Sequence, residues 1–519
     1  MGNSPARGLH ADNHGTMNTP PDVQLQAGPS AMNTSSSMAG PASRVVGADP
    51  GTRKAASLAW IVVLVLGSVV MLFQQFSALS TPAAPAQQGV TPPEAGDQPM
   101  MAAKLVSKLI EVSPQSGSGT SMLAGQAQNP SAEPGSVGAF RNIIVRSHIA
   151  GKSTWPGEVQ ALSTPPKPWA FEGADEDIAV LTKLLSEKPT EVSAAELERL
   201  VTRHGFFGQL AGVMNSPPTD PARAQLLGGG GWLMFVTLMI VVGLLFAFLA
   251  AIACSIIAVM KLASRSVRWR MTIPSVGGSV LIETVAVFIA GFCTLKLISF
   301  ALEATLPKEQ QAAIGPLTMG LQWCLLLAPL WPLVRGVSWQ QLRQLLGLHT
   351  GEGLFKEIGC GLFAYFAGLP LVFIGIVISV LAIIVQGIAA AAKSGGTAPP
   401  PPSNPILEYV TQGNVFELAM LFALASIWAP LVEELVFRGA LFRHLRGSVR
   451  MIAAGLISAA VFALMHGYPF FLLGPVMMLG FNFAIMREWR GSLVAPIVMH
   501  CLHNATTLLI VISLMRALA

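Results

Sequence analysis

Residues 232–260 read WLMFVTLMIVVGLLFAFLAAIACSIIAVM, an apolar run without a single charge, closed by Lys261 and then by Arg265, Arg268 and Arg270. At 1.5 Å of rise per residue, about 20 helical residues cross roughly 30 Å of hydrocarbon, so this run is long enough to span a bilayer. It must do so as a helix, because a lone segment in hydrocarbon can satisfy its backbone hydrogen bonds only internally. The same reading extends outward from it. Further apolar runs lie at 57–79, 280–302, 314–334, 358–392, from Phe416 onward, and at 451–465, 470–486 and 493–514. They predict an all-α, polytopic membrane helical bundle of about nine transmembrane helices.

Composition agrees. Only 11% of the 519 residues are charged, against roughly 25% in ordinary soluble domains, which excludes a soluble globular protein. Residues 80–230 hold 25 of the 59 charged side chains, whereas 57–79 and 231–519 together hold 27, none of them Asp. The middle is therefore a water-exposed segment between the first and second spans. The net charge of +5 does not indicate nucleic acid, since the bases form short clusters between apolar runs and not one stripe.

Those clusters follow alternate spans: Lys261 to Arg270; Arg335, Arg343 and Lys356; Arg443, Arg446 and Arg450; Arg487 and Arg490. The positive-inside pattern predicts an integral protein of the inner or plasma membrane, N-terminus cytoplasmic, C-terminus and the Pro-rich loop 398–405 on the other side. The chain divides into 1–56, a disordered cytoplasmic arm rich in Ser, Gly, Pro, Asn and Ala; 57–79, the first transmembrane helix; 80–230, an extracytoplasmic and partly helical region; 231–410, further transmembrane helices; and 411–519, the core that carries the chemistry. Small residues at 83–86 offer a competing reading of 57–79 as a cleaved signal sequence, against which the long preceding arm stands. Ser193 and Glu196 have the spacing of a capping box at a helix start. Gly361, Gly368 and Gly375, seven apart, predict close helix packing in the fifth span. The five cysteines lie in apolar runs without a CxxC, which argues against disulfides and a Cys-built zinc site.

Ionisable residues inside apolar spans are costly and are candidates for function. Glu433, Glu434 and Arg438 lie late in the sixth span; Glu434 and Arg438 are four apart and can pair, while Glu433 is rotated by about 100°. One acid reads as a counter-ion and the other as a free base; the alternative is an ion cluster at the helix end. His466 closes the seventh span. His500 and Asn504 share a face of the last, from which His503 points partly away. Counted from the basic turns at about 1.5 Å per residue, Glu433, His466 and Asn504 lie about 20 Å deep and His500 about 15 Å, provided the sixth helix continues to about Leu445. A carboxylate, imidazoles and an amide in a shielded layer suit attack of water on an amide bond. Glu433, His466 and His500 would equally suit a zinc ion with an open position, so a metal stays undecided and zinc possible.

The three motifs, Glu433-Glu434-x-x-x-Arg438, Phe462-x-x-x-His466 and His500-x-x-x-Asn504, resemble those of the CPBP family of intramembrane proteases, which includes type II CAAX prenyl endopeptidases and Abi-type immunity proteins. The resemblance covers about residues 416–514. It implies that Glu433 activates water with Glu434 and Arg438 in support, that His466 positions the water, and that His500 and Asn504 complete the site and stabilise the oxyanion. The partner implied is a membrane-associated or prenylated peptide or protein. A non-catalytic binding or immunity protein of the same fold is the alternative, and a transporter with a Glu/His proton relay is a third, for which no clear internal repeat speaks.

Overall fold

The computed structural model describes residues 49–80, 98–112, 127–128, 132–186, 191–307, 314–394, 410 and 413–518. Among them there are helices and connections but no strand. The apolar runs form α1 (Arg53–Ser80), α2 (Gly230–Ala263), α3 (Val280–Thr305), α4 (Pro316–Val334), α5 (Leu354–Ser394), α6 (Val415–Arg446), α7 (Met451–Leu464), α8 (Leu473–Arg490) and α9 (Val494–Leu518). Eight of these are long and apolar enough to cross a membrane. The exception is α7, whose 14 residues reach only about 21 Å at 1.5 Å each. Leu244, Phe246, Phe248 and Leu249 of α2 are each more than half exposed. A helix this apolar on its outer face is stable only where lipid covers it, and the protein is an integral membrane protein.

Within the segment 1–56 expected to be disordered, residues 49–56 are placed against the bundle. Asp49 is buried, its Oδ1 accepting from the Leu281 amide at 3.2 Å and its Oδ2 meeting His444 Nδ1 at 3.0 Å. Trp60 Nε1 donates to His444 Nε2 at 3.3 Å, which leaves the ring proton on Nδ1 for Asp49. These bonds tie the start of α1 to α3 and to the end of α6. Residues 1–48, the small residues at 83–86 and the Pro-rich loop 398–405 lie outside the described residues.

The fifth span packs closely along its glycines. A Cβ at Gly361 would stand 2.7 Å from the Ala495 carbonyl of α9, one at Gly368 would meet Asn482 of α8, and one at Gly375 would meet the backbone of Gly474. Small residues therefore bring α5 against both helices that flank the candidate site, as the seven-residue spacing predicts.

Between α1 and α2 a set of short helices, Gln98–Val112, Val137–Ala150, Trp155–Ser163, Ala174–Leu184, Ala194–His204, Phe206–Val213 and Pro221–Leu227, closes around its own core. Phe140, Ile144, Leu181, Leu200 and Leu210 are fully buried in it. The Ser193–Glu196 capping box is formed, with the Ser193 amide donating to Glu196 Oε2 at 2.8 Å. This helical set abuts the end at which α2 begins and α9 finishes, where Leu233 and Leu518 pack with Leu105 and Leu109.

Candidate active site

The sixth helix is unbroken from Val415 to Arg446, so it continues past Arg438 as the depth argument requires. Its hydrogen bonding widens to the π pattern across Leu424–Trp428 and again across Glu434–Leu441. Such widenings concentrate at functional sites, because they rotate successive side chains out of α register. In the first, the Ala429 amide bonds the Leu424 carbonyl. The next residue, Pro430, has no N–H to continue the ladder. The Ala425 carbonyl is met instead from α9, by Asn504 Nδ2 at 2.8 Å.

One turn later the acids separate in role. Glu434 is fully buried and its Oε1 accepts from Arg438 Nη1 and from His500 Nδ1, each at 3.0 Å. Arg438, also fully buried, donates through Nη2 to the Gly480 carbonyl of α8 at 2.9 Å. Its guanidinium lies 4.2 Å from the Phe462 ring centre and 5.0 Å from that of Phe483, an arrangement in which aromatic faces stabilise a cation removed from water. Glu433 has no hydrogen bond among the described residues, retains 19% exposure, and brings Oε2 to 3.7 Å from His500 Nε2.

Paired with Arg438, Glu434 is a carboxylate and can only accept, so His500 Nδ1 is the donor. A neutral His500 then carries a lone pair at Nε2, facing Glu433. The two lie farther apart than a hydrogen bond, with the Nε2 lone pair turned toward the Glu433 carboxylate. His500 is held for this by stacking on Phe483, with ring centres 4.6 Å apart and planes 26° apart.

His466 meets the same aromatic floor from the turn after α7. Its ring lies 4.6 Å from Phe462, which also packs edge-on to His500 at 5.8 Å. The bond between its Nδ1 and the Phe462 carbonyl, at 2.8 Å, must run from N–H to oxygen and leaves Nε2 as an acceptor. His503 stands apart against Tyr365, ring centres 6.2 Å apart. Glu433, Glu434, Arg438 and His500 are thus joined directly, His466 through Phe462, and Asn504 through the backbone of α6.

The donor set does not fit the zinc reading. Among the described residues no three of His, Cys, Asp and Glu come close enough together to hold a metal ion.

Three contributors escaped the sequence reading. Gly480 presents its carbonyl to Arg438, and a Cβ there would stand 2.8 Å from Nη2 and 2.9 Å from Phe462. Phe483 stacks on His500, and Tyr468 stacks on His466 at 6.2 Å. Gly and Phe are ordinary in apolar helices and carry no signal of their own; Tyr468, two residues beyond a candidate histidine, could have drawn notice.

Residues 415–506 match a family model described as Rce1-like, type II CAAX prenyl endopeptidase. Comparison of the chain with curated proteins and with solved structures finds no match.

Proposed function

We propose, from the match of residues 415–506 to the type II CAAX prenyl endopeptidase Rce1-like model, that this chain is an intramembrane endopeptidase that cleaves a membrane-associated, prenylated peptide with Glu433 as the base. The observation that supports it best is the contrast between the two acids: Glu434 is tied through Oε1 to both Arg438 and His500, while the Glu433 carboxylate has no hydrogen bond among the described residues and stands beside His500 Nε2. Water attacks the carbonyl carbon of the scissile amide and gives its proton to Glu433, which passes it to the leaving nitrogen as the C–N bond breaks. His466 accepts a hydrogen bond from the same water through Nε2. With a proton at Nε2, His500 donates to the oxyanion while Glu434 balances the imidazolium charge. Asn504 has a second amide hydrogen with which to assist, and also fixes α6. The basic ends of α2, α6 and α8 face the cytoplasm in this reading, as does the N-terminus.

The test is cleavage of prenylated CAAX peptides and unprenylated controls by the purified full-length protein in lipid. Glu433→Gln is expected to lower the rate by at least about 100-fold, the range of a positioned general base. Chelation is expected to leave the rate unchanged. Cleavage that survives Glu433→Gln removes the proposed base, and prenyl-dependent binding without cleavage turns the reading to a non-catalytic binding protein.

A further inference from the structure

At the end of the bundle where the bases gather, a cavity of about 700 Å³ opens between α2, α5 and α8, away from the acids and imidazoles of the candidate active site. Lys261, Arg268, Arg270, Lys356 and Arg490 line it, with Glu352 as the one acid. Arg270, Lys356 and Arg490 all reach Glu352, at 2.6, 3.2 and 2.7 Å, and Arg490 is further held by Glu357 behind it at 2.7 Å. The Arg490 hydrogen bond holds the Glu352 carboxyl well below its usual range, at about 2, so this acid is a permanent anion. Five bases against Glu352 and Glu357 still leave three positive charges in excess. Lys261 and Arg268 are exposed and make no ion pair among the described residues. The segment that carries Arg268 is anchored, since the amides of Arg270 and Met271 both donate to the Glu488 carbonyl at 3.2 Å.

Apart from Ser266 the remaining wall is apolar. Ile257, Phe363 and Trp489 face the cavity, the last two with ring centres 6.4 Å apart. Further into the bilayer on the Ile257 flank of α2, Leu249 and Phe246 are exposed, the latter edge-on to Phe366 of α5 with ring centres 6.0 Å apart. A positive seat for an anion, beside an exposed apolar flank of α2, is complementary to a molecule with an anionic head and hydrocarbon tails. We propose that this cavity is a binding site for an anionic phospholipid, its headgroup phosphate held by Lys261 and Arg268 and its acyl chains lying along α2 and α5. Basic pockets between transmembrane helices commonly take such headgroups. Lipid seated here would brace α2 against α5 and α8 and so steady the helix that supplies the Gly480 carbonyl.

The site is tested by ligand-dependent thermal stabilisation of the purified full-length protein in a neutral detergent, a readout independent of cleavage. The probes are a short-chain phosphatidylglycerol, the matching phosphatidylcholine and inorganic phosphate. Phosphatidylglycerol is expected to raise the melting temperature saturably and the other two to leave it unchanged. Lys261→Ala and Arg268→Ala are each expected to weaken the phosphatidylglycerol response by about fivefold, the worth of one base at a membrane surface. Arg450→Ala, at the same end but outside the cavity, should leave it intact. An equal shift with phosphatidylcholine, saturation by phosphate alone, no shift at all, or an equal loss in Arg450→Ala would each overturn the assignment.

Discussion

Glu433 and Glu434 are neighbours in sequence and opposites in circumstance. Glu434 and Arg438 form a fully buried ion pair, and removing one partner of such a pair leaves an uncompensated charge that costs about 3–5 kcal/mol. Glu434→Gln is therefore expected to lower the unfolding temperature in mild detergent sharply, whether or not a substrate is present. Glu433→Gln removes no hydrogen bond and should change stability by less than about 1 kcal/mol, while abolishing turnover in the proposed reading. Unfolding curves for the two variants distinguish support from chemistry without reference to any substrate. Their different positions were legible in the i, i+4 spacing, which pairs Arg438 with Glu434 and turns Glu433 away. The bond from His500 to Glu434 was not, because nothing local to either residue specifies a partner 66 positions distant.

At the scale of the element, the sixth helix shows how a defect becomes a tether. Pro430 cannot donate to Ala425, and Asn504 of α9 fills that place. Asn504→Leu is expected to leave the Ala425 carbonyl unpaired in an apolar setting, at a cost of about 1–3 kcal/mol read as a lower melting temperature. Asn504→Asp tests the same point, since a carboxylate cannot donate to a carbonyl and is not expected to restore stability. The α8 helix contributes through Gly480, where Gly480→Ala would push a methyl group into Arg438 and Phe462. That substitution should lower turnover and stability together, measured on the same sample. Helix existence was legible from apolar length, as was the close packing of α5 from its glycine spacing. The π widening was not, since it follows from a proline and a side chain on another helix acting together. The short reach of α7 was visible in its length but was masked by the apolar residues that follow Leu464.

On the scale of the whole molecule, the helical set between α1 and α2 has a core separate from that of the membrane bundle, and it carries its own pH response. His148 is buried in the helix Val137–Ala150, and burial is the main cause that lowers its pKa from 6.5 to about 4, with Arg223 adding to the effect and Glu111 opposing it. Between those values the unfolded chain binds the proton that the folded set refuses, so stability falls as pH drops from about 6.5 towards 4, by up to about 1.4 kcal/mol per unit. Limited proteolysis of the full chain should show residues 132–227 becoming more susceptible at pH 5 than at pH 7.5, and His148→Leu should flatten that change. The sequence by itself determined the membrane helices, the exposed middle region, the basic clusters and the three polar motifs, because each is a local property: apolar length against bilayer thickness, charge against solvent, spacing against helical pitch. Tertiary structure alone decided that His500 stands between both acids, that Gly480, Phe462 and Phe483 seat Arg438, and that five bases from three segments enclose one cavity. Inside lipid there is no hydrophobic force to order helices side by side, so their arrangement rests on close contacts and hydrogen bonds between residues far apart in the chain.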